Sequence, residues 1–205
     1  MTSPDSPSQR SASIRLFRNN LLEALTHVHP LVPLLVWTPV VLVLLWRAVA
    51  LDGLGIAQLL PVAAAALLTW TFTEYALHRF VFHFPARSRL GKWLVFLFHG
   101  VHHDDPQDKT RLVMPPAGAI LIMALIWSLF ELLIPAPWTQ PFGAFFIVGY
   151  LAYDYLHYAT HHFPMRHPLL HRLKQHHMKH HFSGVPGRYG VSSPLWDILL
   201  RTTGR

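Results

Sequence analysis

The chain has 205 residues, 52% of them hydrophobic and 13% charged, with a mean hydropathy of +0.29, too apolar for an ordinary soluble domain of this length. Its formal charge of +7 on so apolar a chain favours an anionic lipid surface over nucleic acid as a partner. Cysteine is absent, which excludes disulfides, Cys-held iron–sulfur clusters and Cys-type zinc sites, so any metal must sit on nitrogen or oxygen.

The opening stretch "MTSPDSPSQRSAS" is Ser/Pro-rich and lacks the apolar core and cleavage site of a secretory signal. Residues 1–20 are therefore expected to be a disordered tail and residues 21–205 one integral membrane domain. Four apolar segments, residues 31–49, 54–77, 113–134 and 142–158, are long enough to cross a bilayer, which takes about 20 predominantly apolar residues. Pro33, Pro39, Pro115 and Pro116 fall in these segments, where neighbouring helices can re-satisfy the freed backbone groups. The fourth segment is short and carries Asp154, so its lower end is expected to face protein or water. "GKWLVFLFHG", between the second and third segments, suits a short amphipathic helix in the interface.

Lysine and arginine set the orientation. Of the 17, sixteen fall in the tail, in residues 79–111 and from residue 165 onward, against Arg47 alone in the two opposite turns. The pattern predicts an all-α integral membrane fold: four transmembrane helices in two hairpins, both termini cytoplasmic, and a His-rich cytoplasmic cap.

Histidine is the unusual residue, 16 copies against 10 acids. Ten of them form four compact clusters: His78 and His83 in "HRFVFH", His99, His102 and His103 in "HGVHH", His157 and His161 in "HYATHH", and His177, His180 and His181 in "HMKHH". Residues three and four apart share a helical face, so the spacing predicts that the imidazoles of each of the last three clusters converge on one point. A single histidine at a membrane edge is as easily a tolerated interfacial residue as a ligand. Ten packed on one side would repel if protonated and waste donors if neutral, unless cations take their lone pairs. Ten nitrogens exceed one tetrahedral zinc and suit two metals of five or six positions each, without choosing between zinc and iron. His27, His29, His162, His167, His171 and His176 fall outside the pattern and are expected at the surface or behind the ligands.

Glu74 precedes His78 by four residues and Asp154 precedes His157 by three. Each is expected behind the metal ligands, taking a spare imidazole N–H and orienting the ring. Acids near membrane depth are costly without such a partner. "GLGIAQ" lacks the third glycine of a dinucleotide fingerprint and has no strand before it. Trp46, Trp70, Trp93 and Trp138 are expected as interfacial belt residues.

On these residues the chain resembles the fatty acid hydroxylase superfamily of membrane di-metal oxygenases. "EYALHRFVFH", "FHGVHHDDPQDKTRLVMPP", "YDYLHYATHH" and "LKQHHMKHHFSGVPGRYGVSSPLWD" are most similar to fatty acid 2-hydroxylases, from about Glu74 to Thr203. The resemblance implies that the ten clustered histidines are metal ligands, that two iron ions serve the working enzyme, with zinc able to substitute in a purified sample, and that molecular oxygen is the oxidant. It implies hydroxylation of a fatty acyl chain at carbon 2, in a membrane lipid or fatty acid. Eukaryotic members often carry a fused cytochrome b5 domain with an "HPGG" motif, whereas the early His-Pro here reads "HPLV". That departure implies an external electron donor (a reductase, ferredoxin or cytochrome) and a bacterial inner membrane.

Arg79, Lys109, Arg111 and Tyr189 are candidates for head-group contacts, although the basic ones also satisfy the orientation rule. Two rival readings stand beside 2-hydroxylation: another sterol or carotenoid hydroxylase or desaturase of the superfamily, and a non-catalytic membrane metal-binding or transport protein. The transport reading predicts ligands strung along a path near the midplane rather than gathered at one edge.

Overall fold

The computed structural model describes residues 13–204, and the start of the expected tail, residues 1–12, lies outside them. The regular elements of the described residues are all helical, with no strand. In order they form α1 (Asn20–Leu25), α2 (Val32–Ala50), α3 (Ile56–Ala76) continuing into a π-helical turn (Leu77–Phe82), and α4 (Arg89–Val95) continuing through a second π-helical turn (Phe96–Gly100) into α5 (Val101–Asp104). Then come α6 (Pro116–Leu133), α7 (Thr139–His162), α8 (Pro168–Phe182) and α9 (Leu195–Leu199).

Proline marks the helix starts: Pro116 and Pro168 occupy the first helical positions of α6 and α8, and Pro33 the second of α2, where the missing N–H has no intrahelical partner to lose. Among the described residues, three helical stretches are long and apolar enough to cross a membrane: Val32–Ala50, Ile56–Phe82 and Pro116–Leu133. Many of their leucines stay out of the core, Leu42, Leu60 and Leu125 all being more than 60% exposed, as lipid-facing surfaces require.

The fourth expected span, α7, does not reach that apolarity, and its position explains why. It is the central helix, packed against both α2 and α3, and it buries Gly143, Phe146, Ile147, Gly149, Tyr150, Tyr153, Asp154, His157 and His161. A helix surrounded by protein needs no apolar coat, so α7 can carry tyrosines and an acid that a lipid-facing helix could not.

Trp70 corrects the belt expectation. It is buried between α3 and α7, edge-on to Phe146 and Tyr150 at ring distances of 5.1 and 5.6 Å. Gly149 makes room for it, since a Cβ there would lie 2.6 Å from the indole Cγ. Trp46, by contrast, is 59% exposed.

Of the tail expected over residues 1–20, the part from Ser13 is described and is held in place. Glu23 accepts the backbone N–H groups of Leu16 and Phe17 at 2.9 and 2.8 Å, and Phe17 packs edge-on to Trp93 at 5.6 Å.

Candidate metal centre

All ten clustered histidines lie at one end of the helices, and each arrives from a defined element. His78 sits in the first π-helical turn and His83 just beyond it, its N–H donating to the His78 carbonyl at 3.1 Å. This wider i→i+5 turn, common at functional sites, brings two residues five apart onto one face. His99 lies in the second π-helical turn, His102 and His103 in α5, His157 and His161 in α7, and His177, His180 and His181 in α8.

The rings form two groups of five: His78, His83, His99, His103 and His180 in one, His102, His157, His161, His177 and His181 in the other, with ligand atoms within 4.8 Å of one another in each. The clusters do not each converge on a single point, as their spacing had suggested. His99 and His103 join the first group while His102 joins the second; His177 and His181 join the second while His180 joins the first. Successive helical residues are about 100° apart around the axis, so adjacent histidines point to different centres while i,i+4 pairs stay together. The groups are in contact, the rings of His103 and His181 stacking at 4.2 Å.

The fit to metal is tested by tautomers. His78 donates its Nδ1–H to the Tyr189 carbonyl at 2.6 Å, and His180 donates its Nδ1–H to the Gly187 carbonyl at 2.7 Å. Neutral rings protonated at Nδ1 carry bare lone pairs at Nε2, yet these two Nε2 atoms stand 3.0 Å apart. Two acceptors at that distance repel, and a cation between them turns the repulsion into coordination. Neighbouring Nε2 pairs in the two groups lie 2.8 to 3.2 Å apart. Nitrogens about 2.1 Å from an ion stand about 3.0 Å apart at right angles and about 3.4 Å apart in a tetrahedron. The spacing fits five- or six-coordinate ions, and the residues present fit one such ion per group.

Charge points the same way. Burial, reinforced by neighbouring rings, holds His99, His102 and His177 well below the ordinary imidazole range. Burial and His180 bring His83 down to about 4, and burial with His180, His83 and His161 brings His103 to about 3. Neutral imidazole is the form that binds metal.

The two acids expected behind the ligands do not touch an imidazole. Glu74 instead accepts the N–H groups of Val191 and Ser192 at 2.5 and 2.8 Å, and the Ser192 hydroxyl. Asp154 is buried with its Oδ2 lacking a hydrogen-bond partner among the described residues. The acid that sequence reasoning missed is Asp197. It accepts N–H groups from Tyr189 and Gly190 at 2.9 and 2.8 Å and faces His176 Nε2 at 3.0 Å. Burial pushes Asp197 up, but the donors from His176, Thr202, Gly190 and Tyr189 hold it below the usual carboxylate range. His162 and His176 belong to neither group.

An apolar cavity of about 260 Å³ opens beside the rings. Leu16, Phe17, Leu97 and Phe98 line it, as do His99, His102 and His157, one or more from each group, with Tyr153 and Asp154. Of the expected head-group contacts, Arg111 also borders this cavity, but its guanidinium is engaged by Glu23, the Ile14 carbonyl and His27. Arg79 lies apart, donating to Tyr75 Oη at 2.7 Å and resting over the rings of Phe80 and Tyr189. Tyr189 itself packs within 5.8 Å of the His78, His83 and His180 rings.

Comparison with known proteins gives this geometry a context. Residues 63–202 match the model of the fatty acid hydroxylase family. The chain is 37% identical over 191 residues to a dihydroceramide fatty acyl 2-hydroxylase of Arabidopsis thaliana, covering 92% of this chain and 79% of that protein. It is 35% identical over 210 residues to a fatty acid 2-hydroxylase of Mus musculus, covering 92% of this chain and 56% of that one. The hydroxylase domain visible in full-length scs7p superposes with a TM-score of 0.81 at 34% identity, over 89% of this chain and 69% of that one. These relatives are eukaryotic and lend no support to the expected bacterial inner membrane. The chain belongs to the fatty acid hydroxylase family.

Proposed function

We propose that this chain hydroxylates a fatty acyl chain at carbon 2, next to the carboxyl or amide group, using two metal ions held by its ten clustered histidines. One observation carries the reading: two contacting five-imidazole groups share a wall of one apolar cavity. His78, His83, His99, His103 and His180 hold one ion, and His102, His157, His161, His177 and His181 the other. Iron, when bound, supplies the activation of molecular oxygen and the oxidation of the C–H bond. One oxygen atom enters that bond and the other leaves as water, with electrons from a separate donor such as a reductase, ferredoxin or cytochrome.

The chain's own residues perform the positioning. The leucines and phenylalanines of the cavity take the acyl chain and exclude water, which also protects the reaction from side paths. His99, His102 and His157 bring both groups to its wall. The N-terminal segment contributes Leu16 and Phe17 to the cavity wall. We read residues 21–205 as one membrane domain in which α7 is the fourth span. Both termini and the histidine end face the cytoplasm, following the distribution of lysine and arginine.

The test is mass spectrometry of hydrolysed fatty acids from cells making the chain with a competent reductase, beside cells making His180→Ala. A 2-hydroxy acid present only with the intact chain is the expected result. Its absence from both, with both proteins folded and metal-loaded as made, removes 2-hydroxylation from this chain.

A further inference from the structure

The two histidine groups are supported differently from behind. Two of the five rings in the first rest on a single loop, residues 187–192: His78 donates to the Tyr189 carbonyl at 2.6 Å and His180 to the Gly187 carbonyl at 2.7 Å. That loop is gripped from two sides by buried carboxylates. Asp197 Oδ1 accepts Tyr189 N–H at 2.9 Å and the Thr202 hydroxyl at 2.7 Å, while Oδ2 accepts Gly190 N–H at 2.8 Å and faces Nε2 of His176, on the ligand helix α8, at 3.0 Å. Glu74, from the membrane helix α3, holds the next two N–H groups, those of Val191 and Ser192.

The backbone of the loop is equally fixed. Arg188 N–H donates to the Thr202 carbonyl at 2.8 Å, and Thr202 N–H returns to the Asp197 carbonyl at 2.8 Å. Gly187 has φ +140°, and a Cβ on it would meet the Thr202 carbonyl oxygen at 2.3 Å; one on Gly190 would meet the Ser193 carbonyl oxygen at 2.1 Å. Only glycine fits at either position.

The second group has no such backing. The Nδ1 atoms of His161, His177 and His181 are buried without a hydrogen-bond partner among the described residues. These rings are located by packing, His177 lying edge-on to His157 and His161 at 4.6 and 4.8 Å. A hydrogen bond behind an imidazole fixes its tautomer and orientation and raises its basicity as a ligand, and loss of such a bond typically costs 10- to 100-fold in metal affinity.

We propose that the 187–192 loop, clamped by Asp197 and Glu74, is the orienting shell of the His78 group alone, so that the two metal positions bind independently and Asp197 governs only one. Asp197 is thus a positioning residue acting through two backbone carbonyls. The proposal rests on the two-metal reading above.

The test follows zinc, as the probe metal, on the purified full chain in detergent, with competition by a chelator giving an affinity for each equivalent. Wild type holds two equivalents. Asp197→Asn weakens one of them roughly 10- to 100-fold and leaves the other at its wild-type affinity. His161→Ala removes the equivalent that Asp197→Asn spares, which assigns each to its group. Thr202→Val, which deletes one hydrogen bond to Asp197, gives a smaller change in the same equivalent and is read where Asp197→Asn fails to elute as a folded species. Equal weakening of both equivalents, or of neither, overturns the proposal. A wild type that never carries two equivalents overturns the two-metal reading instead.

Discussion

His78 and His180, drawn from a membrane helix and from α8, face each other through bare Nε2 atoms 3.0 Å apart, each held by a backbone carbonyl at its back. The fold fixes two lone pairs where they repel, an arrangement that becomes favourable only around a cation. Stripping metal from the folded chain is therefore expected to cost at least about 2 kcal/mol, lowering Tm by roughly 4–8 °C for a domain of this size. Thermal unfolding of loaded and chelator-treated protein in detergent checks this, with reloading restoring Tm.

α3, which carries Glu74 and continues into the turn that holds His78, packs against α7, which carries His157 and His161. A Cβ at Gly149 would lie 2.6 Å from Trp70 Cγ, so Gly149→Ala forces the helices apart at about 1–3 kcal/mol. A Cβ at Gly55, the N-cap of α3, meets only Gln58 Oε1, at 3.7 Å, and Gly55→Ala is expected to cost only the weaker cap, about 0.5–1 kcal/mol, without moving α3 against α7. Tm measurements on the two variants separate packing from a general intolerance of alanine.

Cavity length should set chain preference. Gly118 borders the cavity, and a Cβ there has only the Phe98 ring, at 3.4 Å, as a near neighbour inside 3.5 Å. Gly118→Leu is expected to fill space reserved for acyl carbons and to shift kcat/KM toward shorter chains by about tenfold, the scale of one or two methylenes in an apolar pocket. Competition between two acyl lengths, read by mass spectrometry, measures the ratio directly.

The N-terminal segment at the cavity wall should loosen in acid. Burial pushes the Glu23 carboxyl up, but the N–H groups of Phe17 and Leu16 and the Arg111 guanidinium outweigh it and hold it below its ordinary value of 4.5. A carboxylate lowered on folding adds stability that is complete above its unfolded pKa and is lost as pH falls through the folded one. Hydrogen exchange at Leu16 and Phe17, corrected for its intrinsic pH dependence, is expected to speed up as pH drops below 4.5, and Glu23→Gln should show the faster exchange at pH 7.

The gathering of the ten histidines and the all-helical fold with its long apolar helices were legible in the sequence because composition and spacing are local properties. The partition of those histidines was not. His102 and His103 are neighbours in the chain but serve different groups, and which ring faces which centre depends on helices that meet only in three dimensions. The two π-helical turns further rotate the first clusters away from where a regular helix would put them. Glu74 was found by its spacing from His78 but grips Val191 and Ser192, more than a hundred residues later in the chain. Asp197 gave no local signal, since its role depends on the loop it holds. Trp70 and α7 share one lesson: apolarity marks what faces lipid, and the centre of a membrane bundle is free to be polar.

The most direct test of the account is turnover under ¹⁸O₂ with an acyl lipid, a reductase system and iron-loaded chain, followed by position-resolved mass spectrometry of the hydrolysed acid. The account predicts one ¹⁸O atom in a hydroxyl at carbon 2, lost when His78 or His157 is replaced by alanine. A hydroxyl at another carbon, or oxygen drawn from water, would contradict it.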